Sequence, residues 1–474
     1  NVHVGTQKCS SVMWSRVSPT CLKFGTRFFS NNVGSKERIV ILGSGWGGFH
    51  LCRNLDPKKF DIVCISPSNH FLFTPMLPQT AVGTLEFRCI QEPVRTIPNI
   101  IYHQGKARSI DLEHKTLHCE DIFKGQSFVE TFDKLIIATG SKTNTFATPG
   151  VLEREGKEVF FLKHLYHARQ IRNRVLECFE RADIPGLSIH EKTRLLSFVI
   201  VGGGPTSCEF CAELHDFVTE DVSRWYPDLK PFVTITLVEV SNELLGSFDK
   251  TLRDYTKRLF HKRNIIVRTG VAVTKVSRKQ DAFIANSSST GVDDRESTDV
   301  LLSDGTTIPF GMMVWSAGLA PVKFVDNLHG LAKGAGGRIL VDKFLRAQPS
   351  ATNNATNVAP IWAIGDCSLS PISLPPVAKV AQSQAMYLAK CFNNGDLYPL
   401  KPFTFTDLGS MVQLGYGEGA VDGTHVGEVD LKDPMHKLRL TLRGVAAWLT
   451  WRTAYWGKQV STVNKILIPM HWFK

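Results

Sequence analysis

Apolar positions along this chain of 474 residues fall twice into the same three-part pattern. A continuous apolar run comes first, then a cluster of glycines, then apolar residues at helical spacing. In the first copy, Arg38 to Leu42 predicts a buried parallel strand and Gly43-Ser44-Gly45-Trp46-Gly47-Gly48 a turn. A short helix then leads to a strand over Asp61 to Ile65. In the second copy, Leu195 to Val201 runs into Val201 to Glu209, read VGGGPTSCE. A helix over Glu209 to Val222 and a strand over Val233 to Val238 follow. Phe132 to Ala138 predicts a further strand ending in Ala138-Thr139-Gly140, and Val314-Trp315-Ser316-Ala317-Gly318 mirrors that ending. Leu162 to Cys178 sets Leu162, Leu165, Ile171 and Val175 on one helical face. Near residue 361 a strand, Ile361 to Ile364, ends in Gly365-Asp366, and a helix begins within Pro376 to Ala385.

Strand, glycine turn and helix start in this order suit the pyrophosphate of a dinucleotide. The first glycine permits the sharp turn, and the second removes a side chain where backbone N–H groups meet phosphate at the positive end of a helix. Gly202 and Gly204 take these parts in the second copy, with Ser207 at the third glycine position. Glu239 ends the next strand. Its carboxylate can accept from both hydroxyls of an adenosine ribose and repels a 2′-phosphate, which favours NADH over NADPH. The interval from Gly204 to Glu239 exceeds the usual ~20 residues, so the loop around Trp225-Tyr226-Pro227 reads as an insertion. Two such units in one chain are the architecture of flavoproteins that pass a hydride between nicotinamide and flavin. The expected cofactors are therefore FAD and NADH, with the Asp366 carboxylate on a ribityl or ribose hydroxyl. The expected fold class is α/β: two Rossmann-like dinucleotide-binding domains, the second inserted in the first, and a C-terminal membrane-associating domain. The boundaries expected are 33–160 and 321–395 for the FAD part, 161–320 for the NADH part and 396–474 for the last domain.

Charge refines this picture. Four cations and no acid fall in residues 1–32, and seven cations and no acid in residues 434–474; together they equal the formal net charge of +11. The body is neutral, so nucleic-acid binding is not expected. Residues 1–32, basic and Ser/Thr-rich, resemble a mitochondrial transit segment, with Arg27-Phe28-Phe29-Ser30 as a processing site. The 11 cysteines are scattered, as reduced thiols are, apart from Cys208-Glu209-Phe210-Cys211. That C-x-x-C leaves open a sulfide:quinone or disulfide-handling enzyme using Cys208, Cys211 or Cys367. On a helix after a glycine turn, packing is the expected role. No second pair completes a zinc site, and Asp281 to Asp299 reads as a hairpin loop without the calcium pattern, so no metal is assigned.

The last forty residues interleave Trp448, Trp451, Tyr455, Trp456, Trp472 and Phe473 with Arg and Lys. Trp448, Trp451, Tyr455 and Trp456 lie at helical spacing, which predicts a helix in the membrane interface with its cations toward anionic headgroups. A helix packed on its own domain or on a second copy of the chain is the alternative.

The motifs IVILGSGWGGFH, FLFTPMLP, VGGGPTSCE, AIGDCS and LPPVAKVAQSQAMYLAK, with the tail AWLTWRTAYW, resemble the type II (alternative, non-pumping) NADH:quinone oxidoreductases over roughly Glu37 to Lys474. The resemblance implies FAD along Gly43, Gly45, Trp46 and Gly48, with Thr139, Gly140, Gly365, Asp366 and Ala381 nearby. It implies NADH along Gly202 and Gly204 with Glu239 on its ribose, and Glu209 near the nicotinamide. The activity implied is two-electron reduction of a membrane quinone by NADH, peripheral to the mitochondrial inner membrane. The partners implied are quinone, inner-membrane surface lipids, a homodimer mate and a respiratory assembly. The family's A-Q-x-A-x-Q quinone pattern reads Ala378-Lys379-Val380-Ala381-Gln382-Ser383 here, so Lys379 and Gln382 join Glu209 as expected catalytic positions. Replacement of both pattern glutamines also raises the alternative of a weakened flavoprotein kept as a structural subunit.

Overall fold

The computed structural model describes residues 36–278, 297–350, 360–395, 401–424, 427–428 and 441–472. The first apolar run forms β1 (Glu37–Leu42), whose Ile39 to Leu42 are buried whichever way they point. Burial on both faces explains why the run shows no polar alternation. α1 (Trp46–Asn54) carries the chain to β2 (Phe60–Ser66), parallel to β1 with Ile39 beside Ile62. After α2 (Leu77–Val82), the strand β3 (Ile101–Asp111) adds parallel to β2. An antiparallel meander through β4 (Thr116–Asp121) and β5 (Ser127–Thr131) extends that edge. β6 (Lys134–Ile137) returns to the other side of β1.

The chain then leaves this sheet through β7 (Ser141–Thr143) and builds a second one. Its elements are β8 (Val159–Phe161), α3 (Leu165–Ala182), β9 (Ser197–Val201), α4 (Pro205–Asp216), β10 (Thr234–Glu239), β11 (Ile266–Thr269) and β12 (Met312–Trp315). The five strands are parallel, in the order β8-β12-β9-β10-β11. β13 (Leu319–Pro321) pairs antiparallel with β7 on the way back, and β14 (Ile361–Ala363) rejoins the first sheet beside β6. The second nucleotide fold is therefore an insertion in the first. In each sheet the order reverses beside the strand that carries the glycine turn, between β1 and β6 and between β9 and β12. Open parallel sheets bind ligands at the carboxyl ends of such strands.

α5 (Ala378–Asn393) packs on α1. A small antiparallel sheet of β15 (Ser410–Gln413), β16 (Gly419–Asp422) and β17 (Thr441–Arg443) follows, then α6 (Val445–Gly457) and α7 (Thr462–Trp472). The transit-like segment, residues 281–296 of the expected hairpin loop, Lys437, Arg439, Phe473 and Lys474 lie outside the described residues. The strands flanking that loop, Val273–Arg278 and Thr298–Leu302, pair antiparallel as a hairpin does. Among the described residues no helix is long and apolar enough to cross a membrane.

Candidate active site

The first glycine turn is shaped by close backbone approach. Gly43 has φ +109°, and a Cβ there would collide with the Ala138 carbonyl at the end of β6. A Cβ on Gly48 would likewise collide with the Gly43 carbonyl, which fixes α1 tightly against the turn. Gly45 differs: it caps α1 without any side-chain cap, and nothing lies within 4 Å of where its Cβ would be. The first N–H groups of α1 therefore face open space, as an anion site requires. Trp46 donates from Nε1 to Thr74 Oγ1 at 3.0 Å and packs on Phe71 and Phe73, so the FLFTPMLP segment walls this turn.

Thr139 and Gly140 come one residue after β6, and Gly365-Asp366 one residue after β14, the neighbouring strand. Ser141 Oγ donates to Asp366 Oδ2 at 2.7 Å. Gly365 N–H donates to Gln384 Oε1 at 2.7 Å, and a Cβ on Gly365 would stand 3.2 Å from the Ala381 Cβ. Gln384 is thereby committed to the backbone, and Gln382, partly exposed on the same helix, is left as the amide for a ligand. Lys379, in the first turn of α5, has Nζ 3.7 Å from Asp407 Oδ1 and 5.5 Å from the Phe405 ring. Burial pulls its pKa down while Asp407 pulls it up. This set fits FAD: an uncapped helix start at Gly45, glycines where only backbone fits, and a carboxylate at a strand end beside them.

The second turn repeats the design with one change. Gly202 has φ +116°, and Gly204 opens α4 uncapped, with nothing near its missing Cβ and Pro205 at the first helical position. Ser207, at the third glycine position, is buried and its Oγ lies 2.6 Å from Ser316 Oγ, so the hydroxyl ties the turn to the end of β12. Glu239 leaves β10 with its carboxylate lying on the turn: Oε2 accepts from Gly203 N–H and Oε1 from Ser241 N–H at 2.7 Å.

Further along α4 the helix delivers two carboxyls into a buried centre. Glu209 Oε1 accepts from Gln413 N–H at 3.1 Å and from Trp451 Nε1–H at 3.2 Å. Glu213, four residues on, accepts from Thr84 Oγ1 at 2.7 Å and Gln413 Nε2 at 2.8 Å. Gln79 Nε2 donates to Gln413 Oε1 at 2.7 Å, and Gln79 Oε1 accepts from Trp472 Nε1–H at 3.1 Å. Burial pushes Glu209 up to about 8 and Glu213 up to about 7, against the pull of these donors. Three regions meet here: α2 and the residues after it, α4, and β15 with α6 and α7.

The tail corrects the expectation for its aromatics. Trp448, Trp451 and Trp472 are buried, and Arg452 is buried between the Trp448 and Trp472 rings, 3.8 Å and 4.8 Å from their centroids. Enclosed there, Arg452 is no headgroup cation, and burial draws its pKa down to about 10. Of the expected aromatics Trp456 is exposed as expected, in a stripe with Val445 and Leu449 on α6 and Val463, Ile466 and Met470 on α7. Sequence reasoning missed Gln79, Ser141, Glu213 and Gln413. Only Glu213 carried a local signal, its i+4 spacing from Glu209.

Cys208, Cys211 and Cys367 are buried free thiols. Burial raises all three, Cys367 to about 11, whereas a reactive thiol needs the opposite shift. The C-x-x-C is packing.

The profile of the pyridine nucleotide-disulphide oxidoreductases matches residues 37–385. A probable NADH dehydrogenase of Dictyostelium discoideum is 39% identical, with 93% of this chain and 90% of the relative aligned. An internal alternative NAD(P)H-ubiquinone oxidoreductase A1, mitochondrial, of Arabidopsis thaliana is 34% identical over 93% of this chain and 84% of its own length. The structure of NDH2 from Plasmodium falciparum in complex with NADH superposes with a TM-score of 0.78 at 26% identity, covering 93% of this chain and 98% of that one. This chain belongs to the pyridine nucleotide-disulphide oxidoreductase family and, within it, to the type II NADH dehydrogenases, the alternative NAD(P)H-ubiquinone oxidoreductases.

Proposed function

We propose that this protein oxidises NADH and reduces a ubiquinone-type membrane quinone by two electrons, without pumping protons, peripheral to the mitochondrial inner membrane. The observation that carries the reading is α4: its uncapped start suits a nucleotide cradle, and little more than one turn on it buries Glu209 beneath the C-terminal helices. FAD, held by Gly43, Gly45, Gly48 and Asp366, supplies the two-electron redox chemistry between the two substrates. Gly202 and Gly204 receive the NADH pyrophosphate, and Glu239 receives its ribose hydroxyls and disfavours a 2′-phosphate.

Reducing a quinone to a quinol with NADH consumes one proton. Glu209 is suited to hold it, because burial keeps the carboxyl protonated up to about pH 8 while Gln413 and Trp451 both occupy Oε1, leaving Oε2 for the proton. Lys379 and Gln382 present an ammonium and an amide at the start of α5, where a quinone carbonyl needs donors. Lipid docking falls to the exposed stripe of α6 and α7, whose apolar side chains lie along one face of each helix. Pairing with a second copy and association with a respiratory assembly would use the same apolar surface.

Turnover of the FAD-loaded protein with NADH tests the reading, using a ubiquinone analogue, sulfide or a disulfide in parallel. Quinone-dependent NADH loss supports it; turnover with only sulfide or disulfide would overturn it.

A further inference from the structure

Lys163 lies on the short connector between β8 and α3, where the chain enters the second nucleotide fold, yet its ammonium reaches back into the first. Nζ is 2.9 Å from Ser141 Oγ and 4.0 Å from Asp366 Oδ2. Ser141 Oγ is in turn 2.7 Å from that same carboxylate oxygen. An ammonium can only donate, so Ser141 Oγ accepts from Lys163, and the serine's own proton is left to point at Asp366. The arrangement has one direction: Lys163 to Ser141 to Asp366 Oδ2, with Asp366 Oδ1 outside it.

The surroundings single out this ammonium. Burial holds His164 to about 4 and His167 to about 3, so both rings are neutral at physiological pH. His167 Nδ1 is occupied by the Lys163 and His164 backbone N–H groups, at 3.3 Å and 3.1 Å. Burial draws the Lys163 pKa below its usual value, and the Asp366 carboxylate it faces opposes that shift. Nothing in the nucleotide reading of the second sheet needs a desolvated lysine here.

We propose that Lys163 is a positioning residue for the flavin, fixing the Asp366 carboxylate through Ser141 so that Oδ1 is presented to the ribityl chain. The inference rests on the assignment of FAD to Asp366 and deepens it: the segment entering the NADH fold sets the geometry of the FAD site. Charge-assisted hydrogen bonds of this kind change affinity by about tenfold or more.

The test is FAD titration of apoprotein, read by flavin fluorescence quenching, for the parent, D366N, K163M, K163R, S141A and the double variant K163M/S141A. K163M and S141A should each weaken FAD about tenfold, K163R should recover most of the loss, and the double variant should be no weaker than K163M alone. A general packing defect would give no recovery with K163R and additive losses in the double variant, which overturns the proposal. Parent affinity in both K163M and S141A, with D366N impaired, overturns it as well. Parent affinity in D366N overturns the FAD assignment itself. If K163M does not fold, the comparison of S141A with K163R/S141A decides: a further loss in the double variant shows the lysine acting by another route.

Discussion

Trp451→Phe isolates the contact between the tail and the helix of the nucleotide cradle. The substitution removes Nε1–H, which donates to Glu209 Oε1 at 3.2 Å, and keeps a ring against Tyr455, whose centroid is 4.8 Å away. A hydrogen bond to a charged group contributes about 1.5 to 3 kcal/mol, and this one, long and shared with Gln413 N–H, belongs at the lower end. One pKa unit corresponds to about 1.36 kcal/mol. Losing a bond that favours the carboxylate should therefore raise Glu209 by about one unit, from about 8 toward roughly 9. If Glu209 supplies the proton, turnover falls as pH rises through its pKa. The assay is the pH profile of quinone-dependent NADH oxidation from mildly acid to strongly basic buffer, for parent, W451F and E209Q. The alkaline limb should move up by about one unit in W451F and vanish in E209Q. An unmoved limb in folded, FAD-loaded W451F, or a limb that survives E209Q, would refute the proton role of Glu209.

Three further outcomes follow from other parts of the structure. Glu239→Ala removes a carboxylate pinned by Gly203 and Ser241 N–H groups, so KM for NADH should rise about 10- to 100-fold with FAD content unchanged; steady-state kinetics with NADH and NADPH check it. Leu449→Glu with Ile466→Glu places charges on the exposed stripe, and co-sedimentation with anionic vesicles should weaken at least tenfold while NADH still reduces the flavin. Glu213 has its pKa raised by burial from 4.5 to about 7, so the stability it permits is full below about pH 4.5 and declines as pH rises to about 7. Glu213→Gln should flatten that decline by up to roughly 3 kcal/mol, read from denaturant unfolding across the window.

The two strand-turn-helix units were legible because each glycine is forced locally. Gly43 and Gly202 stand at positive φ against neighbouring backbone, and no tertiary context can substitute another residue there without strain. Boundaries moved for equally local reasons. Leu195 and Leu196, read as strand, close a short helix, Ile189–Leu195, whose start Ser188 caps through the Glu191 N–H at 3.1 Å; β9 therefore begins at Ser197. The helix expected from Glu209 begins at Pro205, since proline is at home in a first turn, and after Asp216 it widens into a π turn, Phe217–Val222. The insertion around Trp225 folds into short helical turns, Ser223–Trp225 and Pro227–Phe232.

What was not legible depends on distant chain. Gln79 and Gln413 are separated by 334 residues, and neither sits in a pattern that announces its partner. The tail's tryptophans misled because apolar residues occupy both sides of α6: Val445 and Leu449 face out while Trp448 and Trp451 face in. Spacing can mark a stripe but cannot say whether lipid or protein covers it. The buried set is fixed by the polar centre, where Glu209 and Gln79 need the indole donors of Trp451 and Trp472.

Passage of electrons from NADH to a quinone within this one chain can be watched by anaerobic sequential-mixing stopped flow. The FAD-loaded protein is mixed first with one equivalent of NADH and then with a ubiquinone analogue, while flavin absorbance is followed. The oxidised-flavin band should be lost in the first mix and return in full in the second, with one quinol formed per NADH consumed. A flavin that NADH never bleaches, or a bleached flavin that the quinone leaves reduced, would contradict it.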